Sequence, residues 1–259
     1  MAAKTIACWI EKGGCSKTTT SGIVSFLLSK RINQSGNNNR VLALDLDPQA
    51  NLTSLLGLKI DDFAECSIKQ AIEQGDITNF RIAVTDNLHI VPGHPDFATF
   101  PLWLQNEYQG IPALVLKKAI EPILSEYDYV IIDSPPSISH FSITALSAAD
   151  YLCAPCETSI HCKQALDRLV STVDDLKNVN PELKIAGVVI SMIDKKRADN
   201  KALLNMITKE YGDLCFETIT SRKAATGRLG ITGFHDNKEL RAAIGQFEPL
   251  TDEVIARCR

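Results

Sequence analysis

A segment near the amino terminus has the residue types of a phosphate-binding loop. Residues 11–20 read EKGGCSKTTT; they follow an apolar run that predicts a strand and open a stretch that predicts a helix. In that setting backbone N–H groups converge on an anion, and the helix N-terminus adds partial positive charge. We expect Lys17 to contact the β- and γ-phosphates of a nucleotide and the Thr18 hydroxyl to bind Mg²⁺. The loop residues expected to contact the nucleotide are Gly13, Gly14, Cys15, Ser16, Lys17, Thr18 and Thr19.

Two positions of this loop depart from the general pattern G-x-x-x-x-G-K-[ST]. Glu11 and Ser16 occupy the positions of its two glycines. If position 16 needs a positive φ, serine there costs about 1 kcal/mol or more. A Glu11 carboxylate that pointed inward would repel phosphate. Taken alone, the segment is therefore also consistent with a Gly-Gly turn that starts a helix and binds nothing.

Carboxylates at the ends of two further apolar runs support the nucleotide interpretation. Asp133 closes the run YDYVIID, and Asp45 and Asp47 lie in LALDLDPQANLT. A carboxylate at the C-terminal edge of a central strand lies beside the phosphate loop, where it can hold the water shell of Mg²⁺. If the second strand stays regular, the Asp45 and Asp47 side chains share one face of it. Any one of these aspartates could instead cap a helix or form a turn, but three in this order favour a nucleotide site.

Short apolar runs alternate with amphipathic stretches along the whole chain. Strands are predicted at 4–10, 40–46, 127–133, about 150–155, 184–190 and 214–219, and helices at 18–31, 112–125, 160–177 and 199–211. Strands that are apolar on both faces and separated by helices indicate a mainly parallel sheet covered on both sides. We therefore expect a single α/β domain over residues 1–259, with a P-loop NTPase-like central sheet and helices on both faces.

The composition is that of an ordinary globular protein. Hydrophobic residues make up 45% of the 259 residues and charged residues 22%, which argues against disorder. No apolar run approaches the roughly 18 residues of a membrane span, and no signal peptide is recognised, so a cytoplasmic location is expected. The net charge of −4 gives no global attraction to nucleic acid, although a local basic patch stays open.

The eight cysteines are scattered, and reduced thiols are expected in a cytoplasmic protein. Cys153, Cys156 and Cys162 form a C-x2-C-x5-C group whose spacing could suit zinc or an iron–sulfur cluster. Against a metal, Cys153 falls in a predicted strand and the sequence has no second paired-cysteine element. Cys15 would be a reactive thiol if the helix N-terminus lowers its pKa. Residues 92–111 carry aromatic side chains and prolines, and we expect them to pack under a loop.

Four segments carry a resemblance to the ParA family of partitioning ATPases. KGGCSKTTT resembles the deviant Walker A sequence KGGxGKTT of the ParA/MinD proteins, and DLDPQANLTSLLG resembles the ParA stretch DLDPQGNxTxxLG. YDYVIIDSPPS resembles the ParA Walker B segment, and the region from GVVISMID to ETITSR is similar in spacing and ending. The resemblance covers most of the chain and is closest to the small type, which lacks an N-terminal helix-turn-helix.

The resemblance implies roles for individual residues. Lys12 matches the signature lysine that reaches across a dimer interface to the partner's nucleotide. Asp47 matches the aspartate that positions the attacking water, and Asp133 matches the Mg²⁺-associated Walker B aspartate. Lys12, Lys17 and Asp47 are thus expected to be catalytic, with ATP and Mg²⁺ as cofactors. The expected metal site consists of Thr18, Asp47 and Asp133.

The resemblance also implies partners. ParA proteins bind DNA nonspecifically as ATP-bound dimers, and a ParB-like or adaptor protein stimulates their hydrolysis. Arg222 matches a family arginine linked to DNA binding. The expected DNA contacts are Arg222, Lys223 and Arg228, with a second basic cluster at Lys195, Lys196 and Arg197. Each could instead be a solvated surface charge. A nucleoid-associated homodimer is expected, without membrane contact because the C-terminal segment is not strongly basic.

Two other interpretations stay open. The chain could be a nucleotide-sensing regulator that barely hydrolyses ATP, which Glu11 and Ser16 would suit. It could also be a metabolic P-loop enzyme, such as an amide-forming or biotin-forming ligase or an iron-protein reductase. Such an enzyme would need a substrate pocket or paired bridging cysteines, and the sequence identifies neither. Because of Glu11 and Ser16, we expect slow hydrolysis with ATP binding retained.

Overall fold

The computed structural model describes residues 2–191, 198–221, 223–229, 233–234 and 238–259. These residues contain a seven-stranded sheet made of β1 (Lys4–Cys8), β2 (Val41–Asp45), β3 (Ile82–Thr85), β4 (Leu88–Val91), β5 (Tyr129–Asp133), β6 (Tyr151–Cys156) and β7 (Lys184–Ile190). The strand order is β3-β4-β2-β5-β1-β6-β7. Only β3 and β4 pair antiparallel; the other neighbours are parallel. The expected mainly parallel sheet is confirmed.

Helices cover both faces of this sheet. In chain order they are α1 (Lys17–Leu28), α2 (Asn51–Leu55), α3 (Ile68–Gln74), α4 (Phe100–Asn106), α5 (Val115–Ile120), α6 (His140–Ala148), α7 (Ile160–Leu176), α8 (Ala198–Tyr211), α9 (Ala224–Gly227), α10 (Lys238–Gly245) and α11 (Glu248–Arg257). Among the described residues, no helix is both long enough and apolar enough to cross a bilayer.

Apart from β3, in which Ala83 and Thr85 are exposed, the strands are largely buried on both faces, because their side chains alternate between two separate apolar layers. Ala7 of β1 packs in a layer with α3 to α7, whereas Ile6 and Cys8 on either side of it pack in a layer with α1, α2, α10 and α11. This alternation explains why the strands read as continuous apolar runs in the sequence. The helix α1, which follows the phosphate loop, packs on the sheet mainly against β2 and β5.

The predicted strand at 214–219 is wrong. Cys215 makes an isolated bridge to Val188 of β7, and the N–H groups of Phe216 and Thr220 donate to the oxygens of Val188 and Ile190 at 2.9 and 3.1 Å, but these contacts form no regular ladder. The reason is that the carboxylate of Glu253 on α11 accepts the backbone N–H groups of Glu217 and Thr218, at 2.7 and 2.8 Å, in place of a neighbouring strand. The predicted helix at 112–125 is also interrupted. Its α-helical part is α5 alone, with 3₁₀ turns on both sides, Pro112–Leu114 and Glu121–Glu126.

Residues 92–111 form a 3₁₀ turn, Pro95–Thr99, followed by α4. Phe97 and Phe100 are buried, and both rings contact Phe141 in the first turn of α6, with ring centroids 5.1 and 5.6 Å away. Trp103 and Tyr108 extend this aromatic cluster toward the surface. As expected, the aromatic side chains are packed against the rest of the fold. Some of them lie in a helix, α4, which was not predicted because the prolines in this segment are typical of loops.

Candidate nucleotide-binding site

The segment between β1 and α1 presents its backbone to an open cavity. Gly14 has φ +76°, and a Cβ placed on Gly13 or Gly14 would meet no atom within 4 Å, so these residues face free space. Ser16 has φ +60° and ψ +25°, in the left-handed region that glycine adopts without strain. The serine that replaces a family glycine is therefore held in a strained backbone conformation. Its hydroxyl is hydrogen-bonded to the Ser191 hydroxyl at the end of β7.

The cavity has a volume of about 840 Å³, which is within the range of small-molecule sites. It brings together every loop residue that the sequence predicted from 13 to 19, and Asp47 joins them from the loop after β2. Four of its other lining residues follow Asp47 in the chain, and five come from more distant segments. These nine residues are Gln49, Asn51, Ser54, Leu55, Pro136, Lys223, Ala224, Thr226 and Gly227.

Asp133 connects the end of β5 to the start of α1. Thr18 Oγ1 donates to its Oδ2 at 2.7 Å, and Ser21 Oγ donates to its Oδ1 at 2.9 Å. The carboxyl is only 1% exposed, and this burial raises its pKa to about 6, although the hydrogen bonds from Thr18 and Ser21 act in the opposite direction. The predicted proximity of Thr18 and Asp133 is thus present in the structure.

Lys17 is almost completely buried, with 7% of its surface exposed. Its Nζ donates to the main-chain oxygen of Lys12 at 2.7 Å. Burial lowers its pKa, while the charges of Asp133 and Asp47 oppose that change. The lysine is therefore held under the loop by a single carbonyl, close to the carboxylates that the sequence placed at the strand ends.

Asp45 and Asp47 lie in different environments, contrary to the expectation that their side chains share one face of a strand. β2 ends at Asp45, and the half-buried Asp47 lies in the following turn, where its Oδ1 accepts from Gln49 N at 2.9 Å. Asp45 is fully buried and accepts from Thr53 N and Thr53 Oγ1, both at 2.8 Å, and from Asp47 N at 3.3 Å. Burial raises the pKa of Asp45 to about 7, and the charge of Asp133 adds to this effect.

Asp45 therefore holds the backbone of Asp47 and Thr53 in place at the edge of the site, which was not predicted from the sequence. The Thr53 hydroxyl that binds Asp45 also accepts from Gly93 N at 2.8 Å, so one network ties β2, α2 and the end of β4 together. A Cβ on Gly93 would lie 2.8 Å from Asp45 Cγ, so only glycine fits there. The sequence contains one indication of this network: Thr53 lies eight residues after Asp45, the last residue of β2.

The groups around the cavity fit a nucleotide with its divalent cation. Mg²⁺ prefers hydroxyl, carboxylate and water oxygens, and Thr18 and Asp133 supply the first two. Because the Thr18 hydrogen is donated to Asp133, the lone pairs of its oxygen are left for a cation. Among the described residues, the buried Ser134 and Thr20 hydroxyls near this region have no hydrogen-bond partner.

Glu11 and Lys12 are both engaged within the chain. Glu11 Oε2 lies 2.6 Å from Arg168 Nε on α7, so its negative charge is paired with that arginine. Glu11 is not among the residues that line the cavity. Lys12 Nζ donates to the Gly13 oxygen at 2.7 Å and lies 3.6 Å from Glu157 Oε1. Lys12 is thus folded back onto its own loop.

The predicted DNA contacts are only partly described. Lys223 is exposed and lines the cavity at the start of α9. Arg228 Nη2 lies 2.5 Å from Glu239 Oε2 on α10. Arg222, Lys195, Lys196 and Arg197 lie outside the described residues.

The cysteines of the C-x2-C-x5-C group do not form a metal site in the described part of the chain, where no group of three or more His, Cys, Asp or Glu side chains is arranged to hold an ion. Cys162 instead contacts Cys15 of the phosphate loop, with 3.1 Å between the sulfur atoms. The expectation of a lowered pKa for Cys15 is wrong. The hydrogen bond with Cys162 and burial both raise it.

Comparisons with known proteins agree with this site. The family model described as an AAA domain matches residues 3–185. The sporulation initiation inhibitor protein Soj of Bacillus subtilis is 32% identical over 225 residues, covering 85% of this chain and 84% of its own. The chromosome partitioning protein ParA of Myxococcus xanthus is 30% identical over 215 residues, covering 82% and 73%. The protein belongs to the ParA family of partitioning ATPases. It is accordingly a P-loop ATPase in type.

A solved structure from the family has the same fold. A putative plasmid partition protein from Borrelia burgdorferi, bound to AMPPNP, is 27% identical, with a TM-score of 0.80 over 99% of this chain and 100% of its own. That relative carries an ATP analogue, which accords with the open phosphate loop of the present family member. The resemblance inferred from the four sequence segments is therefore confirmed at the level of family and fold.

Proposed function

We propose that the protein is a positioning ATPase that binds Mg-ATP in this cavity, forms an ATP-dependent homodimer on nonspecific DNA, and is released when a ParB-like or adaptor partner stimulates hydrolysis. The observation that carries the proposal is the convergence of Lys17, Thr18 and Asp47 on one cavity, with Asp133 hydrogen-bonded to Thr18. The partition proteins among its relatives support the cellular role.

In this proposal the protein's own groups position and neutralise the triphosphate. Lys17 exchanges its bond with the Lys12 oxygen for phosphate oxygens, and Thr18 and Asp133 hold Mg²⁺. Asp47 orients the attacking water by accepting a hydrogen bond from it. When bound, Mg²⁺ neutralises charge that develops on the phosphoryl oxygens. Positioning and charge neutralisation supply most of the rate enhancement in phosphoryl transfer.

Isothermal titration calorimetry with Mg-ATP tests the binding step. We expect the wild-type protein to bind and Lys17→Ala to lose about tenfold or more in affinity, because a charge-assisted bond to phosphate is worth about 1.5–3 kcal/mol. Lys118→Ala is a matched control, since Lys118 is exposed on α5, which packs on the other face of the sheet from α1. No heat of binding for the wild-type protein at millimolar nucleotide would refute the proposed function.

We infer that Lys12 can contact the nucleotide of a partner subunit only after it has left Glu157. A single chain, in which Lys12 stays beside Glu157, should therefore hydrolyse ATP slowly. Their contact is 3.6 Å long and about one quarter exposed on each side, so releasing it costs at most about 1 kcal/mol. Glu157→Gln should therefore raise the ATP-dependent dimer fraction by up to about fivefold, as measured by light scattering. Glu182→Gln, at an exposed site, is the control. Lys12→Ala should bind ATP but lose hydrolysis.

DNA binding is proposed to use the basic residues beside the cavity. Lys223 is exposed and lines the cavity, so nucleotide and DNA contacts can be coupled through the start of α9. Retention on nonspecific DNA should require ATP, fail with ADP, and weaken steeply with salt because phosphate contacts release counterions. Arg222→Glu and Lys223→Glu should reduce retention, whereas Lys118→Glu should not. Equal retention with ATP and ADP would exclude this part of the proposal.

The same experiments separate the proposal from its alternatives. A nucleotide-sensing regulator would bind ATP without DNA-stimulated hydrolysis, and a metabolic enzyme would hydrolyse ATP only with a small-molecule substrate. For a positioning ATPase, a fluorescent fusion should co-localise with the nucleoid in the cytoplasm, and Lys17→Ala should make its signal diffuse.

A further inference from the structure

The phosphate loop contains a thiol that lies against a second thiol far away in the sequence. Cys15 and Cys162 are 147 residues apart, and their sulfur atoms are 3.1 Å apart, about 1 Å more than a disulfide bond length. Both side chains are buried. Cys162 is fixed in the first turn of α7, where its N–H donates to Ser159 Oγ at 3.2 Å.

We propose that Cys15 and Cys162 are a redox modification site, which a peroxide converts into a reversible disulfide. This inference goes beyond the proposed function, which assigns no chemical step to either thiol. Cytosolic disulfides are usually transient and redox-sensing, and cellular thiols such as glutathione reduce them by thiol–disulfide exchange.

The reaction balances with one peroxide for each disulfide. The Cys15 thiolate attacks one oxygen of hydrogen peroxide, the O–O bond breaks, and a sulfenic acid and one water result after proton transfer. The Cys162 sulfur then attacks the sulfenic sulfur, the S–S bond forms, the S–O bond breaks, and a second water leaves. Two thiols lose two electrons and two protons in total, and the peroxide oxygens are reduced to water.

Access favours Cys15 as the first sulfur to react. Cys15 is among the residues that line the cavity of about 840 Å³ and Cys162 is not, so peroxide in the cavity approaches the loop at Cys15, although only 1% of that residue is exposed. Among the other cysteines of the described chain, Cys8, Cys153 and Cys258 lie in the apolar layer on the opposite face of the sheet. Cys156 also forms a hydrogen bond with Cys162, so a Cys156–Cys162 linkage is the competing product that the test must distinguish.

The environment of the two thiols sets the rate of the reaction. The hydrogen bond with Cys162 and burial raise the pKa of Cys15. The hydrogen bond with Cys15 lowers the pKa of Cys162, but Cys156 and burial outweigh it and raise the value to about 12. Because the thiolate is the nucleophile, oxidation should be slow at neutral pH and should accelerate as the pH rises.

The disulfide would join the phosphate loop to the β6–α7 segment. That segment carries Glu157, which pairs with Lys12 of the same loop. The bond would therefore hold the loop next to Glu157 and keep Lys12 in its position within the chain. It would also close a loop of 147 residues, which restricts the unfolded chain and stabilises the folded protein.

The test is peroxide treatment of the reduced, nucleotide-free protein, followed by alkylation of the remaining thiols and peptide mass spectrometry. We expect one linkage, between the peptides that contain Cys15 and Cys162, and a rise in the melting temperature that dithiothreitol reverses. Cys15→Ala and Cys162→Ala should each lose both effects, and Cys258→Ala should keep them. Cys15→Val and Cys162→Val provide the same test if an alanine variant does not fold.

Three results would overturn the proposal. They are the absence of any linkage, a linkage confined to another pair such as Cys153 and Cys258, and over-oxidation of Cys15 without a bond to Cys162. None of these measurements includes nucleotide, so their outcome is independent of whether the protein binds Mg-ATP.

Discussion

Thr18 Oγ1 donates a 2.7 Å hydrogen bond to Asp133 Oδ2, and this bond joins the second residue of α1 to the last residue of β5. The two residues are 115 positions apart, and the parallel pairing of β1 with β5 is what brings them together. In the proposed function the same two oxygens hold Mg²⁺, so the bond keeps the cation ligands in place before the cation arrives.

Replacement of either partner should uncouple nucleotide binding from magnesium. We expect Thr18→Ala and Asp133→Asn to lower the affinity for ATP in the presence of Mg²⁺ by about 10- to 100-fold, in line with losses at other metal sites. Without Mg²⁺ they should bind ATP like the wild-type protein. Titration calorimetry with and without the cation measures both, and Thr18→Ser, which keeps the hydroxyl, is the matched control. An unchanged affinity for Thr18→Ala in Mg²⁺ would contradict the assignment.

The strained backbone at Ser16 should be coupled to Ser191. Ser16→Gly removes a left-handed strain of about 1 kcal/mol or more, but it also removes a hydrogen bond worth about 0.5–1.5 kcal/mol. The net change in the free energy of unfolding should therefore be small. Ser191→Ala should destabilise the wild-type protein by about 1 kcal/mol and have almost no effect beside Ser16→Gly. Urea denaturation of the four proteins completes the double-mutant cycle, and strictly additive effects would show that the two hydroxyls do not interact.

Asp45 should affect hydrolysis without binding the nucleotide. In Asp45→Asn the amide can still accept from Thr53, but its nitrogen cannot accept from Asp47 N, so Asp47 loses its backbone anchor. We expect kcat to fall about tenfold or more, as for other supporting residues, while the affinity for Mg-ATP changes little. The control is Asp62→Asn at an exposed site. A loss of affinity equal to the loss of kcat would argue for a merely structural role.

His89 should make stability depend on pH. Its Nδ1 is hydrogen-bonded to Tyr127 Oη at 2.6 Å, and it faces Arg40, Arg81 and Glu126. Burial lowers the pKa of His89, and the two arginines add to this effect while Glu126 opposes it. Below the unfolded-state pKa of about 6.5, the unfolded chain binds a proton at His89 that the native protein does not, so the contribution of His89 to stability falls as the pH is lowered. The raised pKa values of Asp45 and Asp133 act in the opposite direction over the same range, so the effect of His89 is measured as a difference between variants.

Thermal denaturation between pH 8 and pH 5 measures this effect. His89→Asn keeps a group that can bind Tyr127 but does not titrate, so its melting temperature should rise relative to that of the wild-type protein on acidification. His161→Asn, at an exposed position, is the control and should follow the wild-type curve. Parallel curves for His89→Asn and the wild-type protein would show that another group is responsible.

The parts of the fold that the sequence predicted are those in which local pattern and tertiary structure agree. Strands buried on both faces appear as apolar runs, so β1, β2, β5, β6 and β7 were each found near their observed bounds. The hairpin β3–β4 was missed although an Asp86–Asn87 turn separates its two alternating runs. The strand at 214–219 was predicted because its pattern is apolar, but Glu253, which is distant in sequence, accepts the backbone N–H groups of Glu217 and Thr218 and so interrupts the pairing with β7.

The same distinction between local sequence patterns and contacts that are distant in sequence applies to the site. Residue types that nucleotide chemistry requires at the start of α1 and at the end of β5, such as Lys17, Thr18 and Asp133, could be named from the sequence and converge in the structure. Contacts across the fold could not be named, because no local pattern specifies that Glu157 approaches Lys12 or that Cys162 approaches Cys15. Asp45 was seen, but its burial depends on packing against α2, which the sequence analysis did not predict.

The register of the central strands limits which insertions and deletions this protein can tolerate during evolution. Asp133 pairs with Asp45 on one side and with Cys8 on the other, so three strands finish level with one another. Since side chains alternate along a strand, inserting or deleting one residue within β5 would turn the Asp133 carboxylate to the opposite face of the sheet. Substitutions can accumulate in this strand while its apolar pattern persists, but the proposed role of Asp133 as a Mg²⁺ ligand requires the strand to keep its length.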